Sequence, residues 1–243
     1  MSKIIGRKPV LEALQSEVQI EQIYITKDAK GDIIHKIFSF AKKERIKISE
    51  VPYQKIDSIS ERKNSQGIVA ITSGIKYSSV DEIISHSKKS TYPLILILDT
   101  IHDPHNVGAI LRTAECAGVD GVLVTTHNSS PLNETVEKVS AGAVNHLKIA
   151  KINNLVNSIK ILKEENFWIV GSHLDKSSKD YTELDYKMPV ALIVGNEEKG
   201  IRKLTAENCD FLVHIPMKGK MQSLNVSVAA GVLLFEIFRN RNI

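Results

Sequence analysis

The hydrophobic and polar positions of this chain follow two alternating periods along most of its length. Short apolar runs bounded by turn residues, such as LILIL at 94–98 and VALIV at 190–194, are typical of strands buried on both faces. Between them lie longer segments whose apolar residues return every three or four positions, as in helices packed on a sheet. This alternation predicts an α/β fold with a mostly parallel sheet and helices on both faces.

The pattern separates a first α/β part from a longer second one. In the first we predict helices at 9–16, 32–44 and 52–59 and strands at 20–26, 46–51 and 67–72. In the second we predict strands at 94–98, 121–125, 147–149, 167–171, 190–194 and 211–215, and helices at 106–117, 134–141, 155–165, 201–208 and 226–238. The residues between mix Gly, Ser and Lys around one short amphipathic stretch, a composition that suits a linker. We therefore expect domains at 1–73 and 91–243, joined by a linker at 74–90.

Charge is distributed unevenly between the two parts. Residues 1–73 carry 13 Lys and Arg against 9 Asp and Glu, a net of +4, whereas residues 91–243 carry 16 against 17, a net of −1. A basic module beside a neutral one fits a domain that grips nucleic acid next to a catalytic domain. Because an excess this small is also common on solvated surfaces, the charge alone leaves both interpretations open.

Several protein classes do not fit the sequence. The N-terminal residues include Lys and Arg but no apolar core of the length that an export signal needs. The apolar run at 94–98 is far too short to cross a bilayer. Two cysteines, Cys116 and Cys209, do not make a disulfide framework. We expect a soluble cytoplasmic protein.

The loops that follow three predicted strands hold the candidate chemistry, because ligands bind beyond the carboxyl ends of strands in such sheets. The first contains DPHNVGAILRTA at 103–114, in which Asn106 can cap a helix and Gly108 permits close backbone approach. A helix cap followed by a surface arginine explains this loop equally simply. His102 and His105 have no further ligands at a suitable spacing, so we predict no metal site.

The other two loops are also ambiguous when taken singly. The second, VGNEEKGI at 194–201, has two glycines five residues apart but lacks the Lys-Ser or Lys-Thr of a phosphate loop, so a plain glycine turn explains it as well. The third, IPMKGKMQSLNVSVAAG at 215–231, offers Ser223 and Asn225 as caps for the apolar last helix. Capping explains one polar residue, but not Ser223, Asn225 and Ser227 together with KGK at 218–220.

Taken together and in this order, DPHNVGAILRTA, IVGNEEKGI and IPMKGKMQSLNVSVAAG closely resemble the three signature motifs of the SpoU/TrmH branch of the SPOUT methyltransferases. In the first part, GRKPVLEAL and NSQGIVA resemble the substrate-binding domain of the ribosomal branch, which is similar to ribosomal protein L30e. KVSAGAVNHLKIAKINNL looks most like bacterial 23S rRNA guanosine 2′-O-methyltransferases. The resemblance covers nearly the whole chain.

The resemblance implies a function that composition does not. It implies transfer of a methyl group from S-adenosylmethionine to the 2′-hydroxyl of a guanosine in 23S rRNA. It also implies a SPOUT domain with a deep trefoil knot, one of the rare exceptions to unknotted topology, after a small L30e-like α/β domain. Family members act as homodimers, so we expect residues of one subunit to complete the other's site, with the apolar last helix at the interface. We expect no membrane and no metal as partners.

The resemblance also carries over site residues at matching motif positions. The catalytic set is Arg112, Asn106, Glu197, Ser223 and Asn225. The cofactor set is Val194, Gly195, Gly200, Ile215, Met217, Leu224 and Asn225. The candidate RNA contacts, each of which also fits an ordinary surface charge, are Arg7, Lys8, Arg62 and Lys63. Because a guanidinium holds its proton too tightly to act as a base, we expect Arg112 to contact the RNA phosphate and stabilise the developing alkoxide.

Three other functions stay open at this point. A tRNA guanosine 2′-O-methyltransferase shares the motifs, but those relatives typically lack the L30e-like domain. An antibiotic-resistance rRNA methyltransferase acting on adenosine shares the two-domain plan. A catalytically silent RNA-binding or ribosome-assembly factor shares the scaffold, although it would not need all five residues of the catalytic set.

Overall fold

Two separate sheets organise the chain, one in the unit Met1–Lys76 and one in the unit Tyr77–Ile243. The computed structural model describes residues 3–16, 20–61, 63–72, 75, 77–127, 129–175, 177–196, 200–220 and 223–242. Within those residues, no helix has the length and apolar character needed to cross a membrane. Each unit is described by itself below.

The first unit is a four-stranded sheet with three helices. Its elements are β1 (Lys3–Ile5), α1 (Arg7–Gln15), β2 (Ile20–Thr26), α2 (Asp32–Lys43), β3 (Lys47–Val51), α3 (Tyr53–Ile59) and β4 (Ile68–Thr72). The strand order is β1-β4-β2-β3, in which β2 and β3 run parallel and the other two pairings are antiparallel. Helices α1 and α2 pack together, and Val10, Ile34 and Ile37 are buried in the core of this unit.

The second unit is a larger sheet with six helices among its described residues. Its elements are α4 (Val80–Ser87), β5 (Leu94–Leu98), α5 (Pro104–Cys116), β6 (Gly121–Thr125), α6 (Glu134–Val139), β7 (Ile149–Ile152), α7 (Leu155–Glu164), β8 (Trp168–Ser172), β9 (Lys179–Asp180), β10 (Val190–Val194), α8 (Lys203–Glu207), β11 (Phe211–His214) and α9 (Val226–Arg241). Every residue of β5, β6 and β10 is buried, as expected for strands covered on both faces.

The order of strands in the second sheet creates a place for a ligand. The order is β7-β6-β5-β10-β8-β11-β9, and each neighbouring pair runs parallel. From β5 the chain moves outward through β6 and β7, then returns to β8 and later inserts β10 between β5 and β8. In parallel sheets, ligands bind where the order of strands reverses, at the carboxyl ends. That place lies beyond the ends of β5, β10 and β8.

The predicted α/β architecture with a mostly parallel sheet is confirmed, and several strands have the predicted bounds. Three elements were not predicted: the short strands β1 and β9, and the helix α4. The helix lies within residues 74–90, the segment interpreted as a linker, and it belongs to the second unit. Its Ile83 and Ile84 are buried in the core of that unit, and Ile83 packs directly on Gly121 of β6. The linker interpretation missed this because only five residues of the stretch are apolar.

The start of α5 differs from the prediction in a way that matters for the site. The sequence suggests Asn106 as the helix cap, but α5 begins two residues earlier, at Pro104. The carboxylate of Asp103 accepts a hydrogen bond from the backbone N–H of His105 at 2.9 Å, so Asp103 is the cap. Pro104 fits the first position, where no N–H is required. Asn106 therefore lies inside the helix.

Candidate active site

A cavity of about 330 Å³ lies beyond the ends of β8, β10 and β11, next to the start of α9. It occupies the switch in strand order described above. Its described lining residues are Ser172, His173, Leu174, Val194, Gly195, Asn196, Gly200, His214, Ile215, Met217, Ser223, Leu224, Val226 and Ala229. The loops after β10 and β11 thus meet at one cavity, which the sequence could not show.

The loop after β10 closes on itself through two glycines. The backbone N–H of Gly200 donates to the carbonyl of Asn196 at 2.8 Å. The Cα of Gly195 lies against the backbone of Gly200 and Ile201, where a Cβ would collide. Gly200 itself has a φ of +63°, a conformation that glycine adopts without strain. The two glycines therefore let Gly195 and Asn196 lie against Gly200, and these three residues line one side of the cavity.

The loop after β11 ends in the predicted cap of α9. The side-chain oxygen of Asn225 accepts from the backbone N–H of Ser227 at 2.9 Å, which confirms Asn225 as the cap. The amide nitrogen of Asn225 donates to the side-chain oxygen of Asn106 at 3.0 Å. This bond joins the first and third loops over 119 residues of sequence. The assignment of N and O in both amides follows from this network.

Arg112 lies apart from the cavity lining that the structure describes. It is exposed on α5, six residues after Asn106 and more than one and a half turns further along the helix. Within the described part of the chain, its guanidinium makes no hydrogen bond or ion pair. Helix α5 packs against α9 near Thr113 and Gly231, so Arg112 stands beside this helix pair.

Gly108 permits a close approach, as expected from the sequence, and the neighbour that approaches is helix α6. A Cβ at this position would overlap Val139 of α6 and approach the carbonyl of Val136. The small residue lets α5 and α6 cross closely, which is a packing role.

Two histidines line the cavity that the sequence reasoning did not select. His173 follows β8 and His214 ends β11, so both stand at the carboxyl edge of the sheet. The hydroxyl of Ser178 lies 3.0 Å from Nδ1 of His214. The predicted strand at 167–171 could have pointed to His173, because loops after every strand of a parallel sheet face the same edge. Among the described residues, no group of three or more His, Cys, Asp and Glu could hold a metal ion.

An ion pair between a buried carboxylate and a half-exposed arginine lies just outside the loop after β10. The carboxylate of Asp99 is fully buried at the end of β5, where its backbone N–H donates to the carbonyl of Val194 at 2.9 Å. Arg202 Nη2 lies 2.9 Å from Asp99 Oδ1, and Arg202 Nε donates to Oδ2 at 3.2 Å. Nη2 of Arg202 and Oδ1 of Asp99 are not aligned for a hydrogen bond, but their opposite charges at this distance make the contact an ion pair.

The candidate RNA contacts of the first unit differ in their surroundings. Arg7 donates from Nε to the carbonyl of Gln66 and from Nη1 to that of Lys30, both at 3.0 Å. Its guanidinium therefore holds a turn together. Lys8 and Lys63 are exposed. Two predicted site residues, Glu197 and Arg62, lie outside the described residues.

Two family models match the chain. Residues 93–235 match the SpoU rRNA methylase family, and residues 3–78 match the family of RNA 2′-O ribose methyltransferase substrate-binding domains. A protein of Staphylococcus saprophyticus, named as a TrmH family tRNA/rRNA methyltransferase, is 40% identical over 98% of this chain and 96% of its own length. A Bacillus subtilis protein with the same family name is 37% identical over the same shares.

Solved structures are similar as well. An rRNA methyltransferase from Sinorhizobium meliloti, solved with bound S-adenosylmethionine, is 29% identical, with a TM-score of 0.63, over 98% of this chain and 86% of its own. A TrmH/SpoU tRNA-modifying enzyme from A. aeolicus is 33% identical, with a TM-score of 0.59, but covers 67% of this chain and 82% of its own.

Proposed function

Because this chain belongs to the SpoU rRNA methylase family, it is an S-adenosylmethionine-dependent RNA 2′-O-ribose methyltransferase, and we propose that its substrate is a guanosine of 23S rRNA. The observation that carries the substrate proposal is the match of residues 3–78 to a substrate-binding family. The rRNA methyltransferase from Sinorhizobium meliloti is similar along 98% of this chain, whereas the tRNA-modifying enzyme from A. aeolicus is similar along 67%.

The cavity beyond β8, β10 and β11 fits S-adenosylmethionine. A volume of about 330 Å³ falls within the range of about 300–1,000 Å³ that is usual for small-molecule sites. Val194, Ile215 and Leu224 supply apolar surface to this cavity, and Gly195, Asn196 and Gly200 line it with backbone polar groups. When bound there, the cofactor supplies an electrophilic methyl group on a positively charged sulfur. We propose Met217 as a further contact at the open side, because its side chain is 39% exposed.

The residues of this chain must then hold the ribose hydroxyl in line with that methyl group and accommodate the loss of its proton. We propose that the linked amides of Asn106 and Asn225 set the position of the ribose, because their bond joins the first and third loops. Ser223, which lines the cavity, organises the third loop. Glu197 fixes the geometry of the second loop. Arg112 binds the phosphate and stabilises the negative charge that develops on the 2′-oxygen while the proton leaves to solvent.

A second copy of the chain brings Arg112 to the site in this proposal. Val228, Phe235 and Phe238 form an exposed apolar stripe along α9, with exposed fractions of 45–51%. An exposed apolar stripe on a helix is typical of an interface between subunits. Since α5 packs on α9, pairing two copies through this stripe carries Arg112 of one copy toward the cavity of the other. We also propose that the second and third loops form the deep trefoil knot expected from the family.

RNA is proposed to reach the site through the first unit. Lys8 and Lys63, which are exposed, are the best candidates for phosphate contacts, with Arg62 next to Lys63 in sequence. The two carbonyl bonds of Arg7 favour a role in holding the turn at Gln66 in place for these contacts.

The experiment that tests this function is mass spectrometry of ribose methylation in rRNA from cells with and without the gene. We expect loss of one 2′-O-methylguanosine from 23S rRNA, restored by the wild-type gene but not by Arg112→Ala. Glu115→Ala, one turn later on α5 and also exposed, is the matched control and should restore the mark. Restoration by Arg112→Ala would refute the role of this arginine.

A tRNA substrate is the second candidate, because the Staphylococcus saprophyticus and Bacillus subtilis relatives are named for both RNAs. An unchanged rRNA profile combined with the loss of a tRNA mark would select it. If both RNAs kept every ribose methyl group, the proposal would fail.

A further inference from the structure

The ion pair between Asp99 and Arg202 lies next to the cofactor cavity without lining it. Asp99 directly follows β5, and its backbone N–H donates a hydrogen bond to the carbonyl of Val194, the last residue of β10. Arg202 stands two residues after Gly200, at the point where α8 begins. The pair therefore connects the end of β5, which is bonded to β10, to Arg202, the residue that follows Gly200 and Ile201 and caps α8.

The next residue, Thr100, reaches the entrance of the same turn. The side-chain amide of Asn196 points to the carbonyl of Thr100 at 3.5 Å. Thr100 has a φ of +57°, an uncommon conformation for a residue with a Cβ. Its backbone N–H donates to the hydroxyl of Thr125 at 3.0 Å, which anchors it to β6. Two consecutive residues thus contact both ends of the loop from Gly195 to Arg202.

The stability of α8 does not require this pair. Ile201 and Thr205 are buried, and Ile201 belongs to the core of the unit. A buried ion pair is weak support for stability, because apolar residues of similar volume often replace it without loss. What the pair adds is a fixed orientation. Arg202 contacts both carboxylate oxygens of Asp99, Oδ1 through Nη2 and Oδ2 through Nε, and such a forked contact holds the two groups in one geometry. The side chain of Arg202 is 54% exposed whereas that of Asp99 is fully buried, so breaking the pair leaves the buried carboxylate with only the hydroxyl of Thr205, 3.5 Å from Oδ2.

We propose that Asp99 and Arg202 are positioning residues that set the width of the S-adenosylmethionine cavity by holding the backbone from Gly200 to Arg202 at a fixed distance from the end of β10. This proposal rests on the proposed cofactor cavity. Neither side chain touches the cofactor. Both act through the turn that does.

The test compares stability with cofactor affinity in the full-length protein. Arg202→Gln is expected to raise the Kd for S-adenosylmethionine about tenfold, the size typical of groups that orient a binding residue without touching the ligand. It is also expected to lower the melting temperature, because Asp99 loses its partner. Lys203→Gln is the matched control: it removes the neighbouring positive charge, which is highly exposed, and should leave both values unchanged.

The double variant Asp99→Asn with Arg202→Gln separates positioning from stability. It removes both charges, so the melting temperature should return close to that of the wild type. The Kd for S-adenosylmethionine should stay raised about tenfold, since an amide pair cannot reproduce the fork. In methylation assays the KM for the cofactor should rise with it, while the KM for RNA stays unchanged. Arg202→Lys, which keeps the charge but not the fork, should behave like the double variant.

Recovery of cofactor affinity together with the melting temperature in the double variant would overturn the proposal, because it would assign the pair to stability alone. Unchanged affinity in Arg202→Gln would overturn it equally. Wild-type protein that fails to bind S-adenosylmethionine by calorimetry would instead overturn the proposed function, and the positioning role with it.

Discussion

Replacing Gly195 by alanine gives a sharp test of the proposed cofactor wall. A methyl group at this position would lie 2.5 Å from the amide nitrogen of Ile201 and closer still to the carbonyl group of Gly200. Carbon atoms in ordinary contact lie about 3.5–4.0 Å from their neighbours, so the two backbone segments must separate by about 1 Å. Backbone cannot swing aside as a flexible side chain can. The bond from Gly200 to Asn196, now 2.8 Å, would be lost.

This movement of the backbone sets the expected losses of stability, affinity and rate. Overpacking of this kind costs about 1–3 kcal/mol of stability. A misplacement of about 1 Å in an active site costs on the order of 100-fold in rate. We expect Gly195→Ala to remain folded, to bind S-adenosylmethionine at least tenfold more weakly, about 1.4 kcal/mol, and to lose about 100-fold in kcat/KM.

Isothermal titration calorimetry with S-adenosylmethionine measures the affinity, and thermal unfolding reports the stability of the same samples. Gly219→Ala is the matched control, because Gly219 belongs to the loop after β11 yet has no atom within 4 Å of an added Cβ. It should bind the cofactor like the wild type. Wild-type affinity in Gly195→Ala would refute the reasoning, since the cavity wall would then tolerate the displacement.

Two partly buried groups of the second unit, Cys209 and Arg241, give the further predictions. Burial raises the pKa of the Cys209 thiol to about 12, so at pH 8 a disulfide reagent should titrate the exposed Cys116 alone in the native protein, and both thiols after unfolding. Because unfolded Cys209 loses its proton near its ordinary pKa of 9.0, its contribution should make the free energy of unfolding fall as pH rises from about 9 to 12, and Cys209→Ala should reduce this slope. Reaction of both thiols in folded protein at one rate would contradict the burial. Arg241 donates to the carbonyls of Tyr92, Pro93, Tyr186 and Met188, so Arg241→Met should cost about 3 kcal/mol and lower the melting temperature by about 6–12 °C. The melting temperature of Arg241→Lys should lie between those of the wild type and Arg241→Met. A decrease of the melting temperature below about 1 °C in Arg241→Met would show that water replaces these hydrogen bonds.

Much of the secondary structure could be predicted from the sequence because its causes are local. The strands Leu94–Leu98, Gly121–Thr125 and Val190–Val194 have the predicted bounds, since unbroken apolar runs between turn residues have few other stable conformations in a buried sheet. The cap at Asn225 is equally local, because it involves a residue two positions away. The cap of α5 was predicted wrongly by three residues, at Asn106 instead of Asp103.

The helix α4 and the histidines of the cavity show where local signals end. Ile83 becomes a core residue only because Gly121, far along the chain, leaves room for it. His173 and His214 become neighbours of the cavity only because β8 and β11 are adjacent in the sheet. Neither fact is encoded in the residues immediately around them.

The sequence by itself determined the α/β class, most strands and helices, and the family motifs, because each depends on side-chain period, turn residues or a contiguous stretch of chain. The tertiary structure alone decided which of those elements touch. The bond from Asn225 to Asn106 and the ion pair of Asp99 with Arg202 join residues 119 and 103 positions apart. Such contacts depend on the insertion of β10 between β5 and β8, which follows from the packing of the whole sheet rather than from any single segment.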